Sequence, residues 1–283
     1  MDNQVCVVVP VYKPFSKLDE NELISWQQCL RILNTRPIYL VCPSGLSTTD
    51  YLECAKQNGS ACHIVTFASE FFSNIDGYNR LLLSKQFYQR FQQHEFMLLY
   101  QLDAFIFQDN LSWWCARGYS YVGAPWFEGY MPTDNSTSLW AVGNGGFTLR
   151  RVADCLRVLR TFAVARPWSE VIQEHSPSGP PSAIKYLYMA VKYLGLGNNT
   201  HWLFNDFHRY RAFHQEDYFW GVVCSERFSW YRVPTPQQAL AFSFEVAPSR
   251  MYELNNQQLP MGCHAWEKHE SFFWKPFIEK AMI

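Results

Sequence analysis

Residues 100–107, YQLDAFIF, set one carboxylate, Asp103, between the apolar run FMLLY and a second apolar stretch. A charge buried there without a partner is costly. Asp103 therefore emerges at a site as a ligand for a metal, a ribose or a substrate, is buried against a partner, or is a strand-end Asp that starts the turn before Asn110. Residues 142–151, VGNGGFTLRR, contain Gly145 and Gly146, whose missing Cβ atoms let a ligand approach the backbone. A bare turn or bulge would use the same pair. Residues 214–221, HQEDYFWG, hold the acids Glu216 and Asp217, which by themselves read as a helix start. His264 in GCHAWEK, residues 262–268, is the fourth candidate, with a satisfied histidine in an aromatic segment as its plain alternative.

The elements that must position these groups can be read from the apolar pattern. Residues 4–9 and 37–42 are nearly continuous β-branched and apolar runs, the pattern of strands covered on both faces of a parallel sheet, and residues 63–67 make a third strand. Helices are expected between them, over residues 18–33 and over 49–58 with Gly59 as the C-terminal stop. This β-α-β-α-β order implies a doubly wound α/β sheet that binds ligands beyond the carboxyl ends of its strands, where the first strand delivers Pro10, Val11 and Tyr12. The pattern then predicts a helix over 77–92, a strand over 96–107, and a short helix over 111–117. An aromatic strand over 119–127 broken by Pro125, a polar loop over 128–137 and a strand over 140–150 follow. A helix over 152–163, a Pro/Ser-rich loop over 171–182 and a helix over 183–196 complete this part, and the chain is more irregular from Pro234 on.

Composition narrows the classes of function. With 24 Lys+Arg against 25 Asp+Glu the net charge of -1 gives no bulk reason to expect a nucleic acid or an anionic membrane as partner. No segment approaches 18 apolar residues and the N-terminus does not read as a signal peptide, so membrane contact, if any, would be peripheral. The nine cysteines contain no C-x-x-C pair, which points to reduced thiols and a cytoplasmic setting rather than to zinc or a disulfide framework. Aromatic residues make up 17% of the chain; such rings serve cores, but they also offer flat faces on which the C–H surface of a sugar can stack.

Taken together and in this order, QLD, YVGAPW, VGNGGFTLR, EDYFW and GCHAW resemble a glycosyltransferase of the GT-A fold, and in particular a bacterial glycosyltransferase-like family of unknown function. There is a more distant likeness to the inverting galactosyltransferases. The resemblance implies one GT-A-like domain over 1–283: a mostly parallel, Rossmann-like central sheet flanked by helices, with a nucleotide-sugar half to about residue 110 and an irregular acceptor-side half after it. It further implies a nucleotide-sugar donor, a UDP-sugar first among them, and a hydroxyl of a glycan or other molecule as acceptor. In an inverting transfer the acceptor needs a general base and the departing diphosphate needs positive charge. By resemblance Asp217 is the base, and Glu216 holds the acceptor or the neighbouring backbone.

Asp103 takes the last position of the D-x-D motif that carries Mn²⁺ or Mg²⁺, with Gln101 replacing the first Asp and weakening a hard-cation site. His264 would be the second ligand. Pro10, Val11, Tyr12, Asn79, Arg80 and Gln101 are expected on the donor, while Asn144, Gly145 and Gly146 are expected on the sugar. Trp126 and Trp220, with Trp140 and Phe219, are either acceptor platforms or core rings, and Arg150 and Arg151 either face phosphate or are solvated at a strand end. A nucleotidyltransferase of related fold and a non-catalytic glycan-binding protein are the rival readings; PVYKPFSK lacks the glycines that the first would want after its first strand.

Overall fold

The computed structural model describes residues 4–129, 138–160 and 215–282. The loop over 171–182 and the helix over 183–196, and parts of the loop over 128–137 and the helix over 152–163, lie outside these residues. The main sheet has six strands in the order β3-β2-β1-β4-β9-β6. β1 (Val5–Pro10), β2 (Ile38–Pro43), β3 (Cys62–Phe67) and β4 (Phe96–Tyr100) run parallel, β9 (Phe147–Arg151) pairs antiparallel with β4, and β6 (Tyr121–Val122) at the edge pairs antiparallel with β9. The sheet is thus mixed, with a parallel block that carries the first half of the chain.

The unbroken apolar runs are explained by helices on both faces. In β1, Val5, Val7 and Val9 pack with Trp26, Leu30 and Tyr51 from α1 (Glu20–Ile32) and α2 (Thr49–Gln57). Cys6 and Val8 point the other way, toward Leu81 of α3 (Ile75–Leu82), Phe87 and Tyr88 of α4 (Lys85–Gln89), and Trp220. α1 begins at a reciprocal cap in which Asp19 accepts from the Glu22 amide and Glu22 accepts from the Asp19 amide, each at 2.9 Å. Gly59 follows α2 with φ of 70°, as a helix stop should.

Three expected elements are divided. The helix over 77–92 is two helices, because the Ser84 hydroxyl donates to the Leu81 carbonyl at 2.8 Å and accepts from the Phe87 amide at 3.3 Å, ending one helix and capping the next. The strand over 96–107 stops at Tyr100: the Ala104 amide bonds back to the Gln101 carbonyl at 2.9 Å, and β5 (Ala104–Ile106) leaves for a second, three-stranded sheet. There it pairs antiparallel with β11 (Gly262–His264), with β10 (Ser243–Phe244) on β11's other side. The strand over 140–150 is likewise two strands, β8 (Leu139–Val142) and β9, joined by the turn Asn144-Gly145-Gly146. β8 pairs with β7 (Pro125–Phe127) in a separate ribbon. α5 (Leu111–Ala116) lies between β5 and β6, and α6 (Val152–Arg160) follows β9 directly.

A third core cluster, with Phe105, Phe244, Cys263 and Trp274, fixes the small sheet under the C-terminal helix Ser271–Met282. All nine cysteines are free thiols. Among the described residues no helix is long and apolar enough to cross a membrane.

Candidate active site

The chain leaves β1 toward β2 on one side, and β4 arrives on the other. The loops beyond the carboxyl ends of these two strands therefore diverge, which opens a crevice at the switch point. A cleft of about 1320 Å³ lies there. Pro10, Val11 and Tyr12 enter it from β1, Gln101 and Asp103 from β4, and Tyr78 and Asn79 from α3. The turn at residues 144–146, the acids Glu216 and Asp217, the aromatic Trp126, and His264 complete most of the lining foreseen from the sequence. Two residues are not brought in. Arg80 is exposed and does not line the cleft, since one helical step turns it away from Asn79. Trp220 is fully buried in the core, edge-on to Tyr88 with its indole N–H on the Leu82 carbonyl at 3.4 Å, so it is no acceptor platform.

Asp103 stands in a cluster built by the pairing of β5 with β11, which sets Ala104 opposite His264. The His264 Nε2 is 3.1 Å from one Asp103 oxygen and 3.2 Å from the Gln101 side-chain oxygen. Its Nδ1 donates to Glu245 at 3.0 Å, and Lys268 donates to the second Asp103 oxygen at 2.8 Å. Burial opposes the Asp103 charge, yet His264 and Lys268 hold its carboxyl well below the usual carboxylate range. Burial would also lower the His264 pKa, but the flanking carboxylates of Asp103 and Glu245 outweigh it and raise it to about 10.

A divalent cation would find donors here once His264 has given up the proton that its raised pKa retains. One carboxylate oxygen, an amide oxygen and an imidazole nitrogen converge, and Glu245 fixes the tautomer that turns Nε2 toward them, as the outer carboxylate of a histidine ligand does. Gly146 makes the room: a Cβ there would lie 1.9 Å from the His264 Nε2. Among the described residues no three His, Cys, Asp or Glu side chains enclose a cation on their own, so bound phosphate oxygens would have to complete the shell.

The neighbouring glycine faces a second cluster. A Cβ on Gly145 would lie 2.5 Å from a Glu216 oxygen, and the Gly145 amide donates to Asp217 at 3.1 Å. Neither glycine has a positive φ; both are required by close approach, whereas Asn144, at φ 69°, takes the strained position of the turn. Asn144 is buried, its side-chain oxygen accepts from the Gly146 amide at 3.1 Å, and its Nδ2 has no partner among the described residues.

Glu216 opens α7 (Glu216–Tyr218), which continues into a π-helical turn, Phe219–Val223. Its carboxylate is bound to the buried guanidinium of Arg150 at 2.8 Å, and its amide donates to the Asn79 side chain at 3.1 Å. Arg150 is therefore not a solvated strand-end residue. It has no exposed surface and also donates to the Thr148 and Tyr88 hydroxyls, each at 3.0 Å. Asp217, next along, has no cation partner among the described residues. Burial, then the charges of Glu216 and Glu245, push its pKa up to about 7.

Glu245, Lys268 and Tyr78 belong to the site and were not foreseen. Glu245 had the same signal as Asp103, a carboxylate inside an apolar run, AFSFEVA. Lys268 closes the GCHAWEK stretch, and Tyr78 accepts from the Gln101 amide at 3.1 Å.

A family model described as "Protein of unknown function (DUF5672)" matches residues 61–264. No curated protein matches the sequence. Among solved structures, the apo form of the glycosyltransferase GlyE of Streptococcus pneumoniae is similar at 11% identity and a TM-score of 0.48, over 96% of this chain and 60% of that one. A glycosyltransferase involved in glycosylation of the major capsid of PBCV-1 is similar at 9% identity and a TM-score of 0.39, over 97% of this chain and 99% of that one. The Mn/GDP form of core-mannan synthase A from Aspergillus fumigatus follows at 10% identity and a TM-score of 0.36, over 53% of this chain and 60% of that one. The chain thus spans about 60% of the length of GlyE. Likenesses this distant carry no argument about activity, which has to be read from the cleft.

Proposed function

This chain belongs to the DUF5672 family, and from the cleft we propose that it is an inverting glycosyltransferase that moves a sugar from a nucleotide-sugar donor to a hydroxyl acceptor. The observation that carries the reading is the pair of adjacent glycines. Gly145 abuts the Glu216–Asp217 acids and Gly146 abuts the Asp103–His264 cluster, so a proton acceptor and a phosphate-binding group are held against consecutive residues of one turn. An inverting displacement wants that pairing, with a base on one side of the anomeric carbon and charge for the leaving group on the other.

Asp217 removes the proton of the attacking hydroxyl, a role suited to a carboxylate with a pKa of about 7. The anomeric carbon–oxygen bond to the diphosphate breaks as the new bond forms on the opposite face. Asp103 and His264 would hold a divalent cation, which supplies charge to the leaving diphosphate. Lys268, lining the cleft beside Asp103, adds a cation of the chain's own. Pro10, Val11 and Tyr12 lie where the nucleotide would enter, and Asn144 offers a buried amide donor beside the sugar. Glu216 serves as the anchor that fixes Asp217, through Arg150.

The test is a thermal-shift screen of nucleotides and nucleotide sugars with and without Mn²⁺, followed by donor turnover to water. UDP at about 100 times its Kd should stabilise the fold by about 2.7 kcal/mol. If no nucleoside diphosphate or nucleotide sugar shifts the midpoint, the reading fails and a glycan-binding protein takes its place. Formation of a new nucleotide from a triphosphate and a sugar phosphate would favour the nucleotidyltransferase.

Two further variants test the cation. Asp103→Ala should abolish the Mn²⁺-dependent part of the UDP shift while leaving a metal-free part, measured as the difference in midpoint with and without chelator. Gly146→Ala should do the same without touching a charge, because its Cβ displaces the His264 ring. Retention of the full Mn²⁺ response in both would take the metal out of the site.

A further inference from the structure

β7 and β8 form a ribbon at one wall of the cleft, and a set of aromatic rings runs across it toward Asp217. Trp126 of β7 and Trp140 of β8 stack with centroids 6.4 Å apart and planes 22° off parallel. Tyr218, at the end of α7, continues the row 6.3 Å from Trp140 at 35°. All three line the cleft. The Trp126 indole lies against Gly143, where a Cβ would come within 2.0 Å of the ring, so the missing side chain makes the room for it. Trp140 is 45% exposed, so its indole is open to the cleft. Tyr218 follows Asp217 directly, and its amide donates to the second Asp217 oxygen at 2.8 Å, which ties the end of the row to the general base.

The charged side chains of the described lining beside these rings are carboxylates, of which Glu216 is paired with Arg150. Glu128 follows β7, and Glu216 and Asp217 stand beside Tyr218. The two lysines of the described lining are committed elsewhere, Lys13 to Glu22 at 2.6 Å and Lys268 to Asp103 at 2.8 Å. Among the described lining residues, a phosphorylated or otherwise anionic acceptor would meet carboxylates here with no unpaired cation opposite. A neutral ring with an apolar C–H face for Trp140, and in-plane hydroxyls for the carboxylates, matches both features at once.

We propose that Trp126, Trp140 and Tyr218 form the acceptor subsite, and that it takes a neutral pyranose, its C–H face on Trp140 and the attacking hydroxyl at Asp217. The proposal rests on the glycosyltransferase reading for the role of acceptor, but not for the binding itself.

Saturation-transfer NMR tests it on the whole protein, with the methyl pyranosides of glucose, galactose, mannose and N-acetylglucosamine as probes and N-acetylserine amide and glucose 6-phosphate as comparisons. At least one methyl pyranoside should bind, with transfer strongest to protons of one C–H face. Trp140→Ala should weaken that binding about tenfold or more, Trp140→Phe should retain part of it, and Trp113→Ala, an exposed indole stacked on Arg117 outside the cleft lining, should leave it unchanged. Absence of binding by every methyl pyranoside, equal binding in Trp140→Ala, or tighter binding of glucose 6-phosphate or N-acetylserine amide would each overturn the proposal. The donor reading is judged separately on the same wild-type sample by the nucleotide thermal shift. Pyranoside binding without any nucleotide shift would keep the subsite and remove the transferase.

Discussion

Asp217→Asn is expected to lower kcat for transfer by about 10²–10⁴-fold while leaving the donor-dependent thermal shift within error of wild type. The amide keeps the shape and one acceptor oxygen, so the turn at Gly145 and the start of α7 are held. One of the two amide N–H groups that Asp217 now accepts loses its partner, at a cost of about 1 kcal/mol. Against that, the variant no longer buries a charge beside Glu216, so the midpoint should move little. In the wild type, kcat should rise with pH through about 7 and level off above it, because the base works only when it has lost its proton. The same raised pKa makes a stability statement of the opposite sign. The protonated folded form is favoured at low pH, so this group's contribution is fully present below the ordinary Asp range and is lost as pH rises through about 7. Activity and stability should therefore diverge between about pH 4 and pH 7, and Asp217→Asn should flatten the second trend. Unchanged kcat in Asp217→Asn would assign the base elsewhere.

How far the site was legible depended on how its parts are connected. The parallel block declared itself because strands covered on both faces must be apolar throughout, and the switch point then locates Pro10 to Tyr12 and the end of β4. Asp103 stood out as a charge among apolar neighbours, but its partners did not. His264 and Glu245 reach it only through the pairing of β5, β11 and β10, which no local pattern specifies. The break after Tyr100 was hidden for the same reason, since both strands are apolar and only the turn at Gln101 divides them. Arg80 lies off the cleft because neighbouring α-helical residues point about 100° apart, and Trp220 faces the core from the π-helical turn Phe219–Val223, which no local pattern specifies. Gly145 and Gly146 were read as room for a ligand; the structure fills that room with Glu216 and His264 themselves.

Arg150 was the least legible residue of all, and it supports the second large prediction. In β9, Phe147 and Leu149 face one core cluster while Thr148 and Arg150 face the other side, where a strand-end position would ordinarily be wet. Here it is dry, and Glu216, 66 residues on, is what makes the guanidinium tolerable. Arg150→Met leaves the Glu216 carboxylate buried without its partner, which should cost about 3–5 kcal/mol and lower the thermal midpoint on the order of 10 °C. Adding Glu216→Leu removes the stranded charge, and apolar replacement of a whole buried pair is often close to neutral, so the double variant should recover most of the loss. Its activity should not recover with its stability. Glu216 anchors the start of α7, and its charge raises the Asp217 pKa more than Arg150 lowers it. The turnover that remains should therefore be small and have its pH midpoint below that of the wild type. A midpoint for Arg150→Met within about 2 °C of wild type, or a double variant with wild-type kcat and an unmoved pH profile, would show that the pair neither supports the fold nor sets the base.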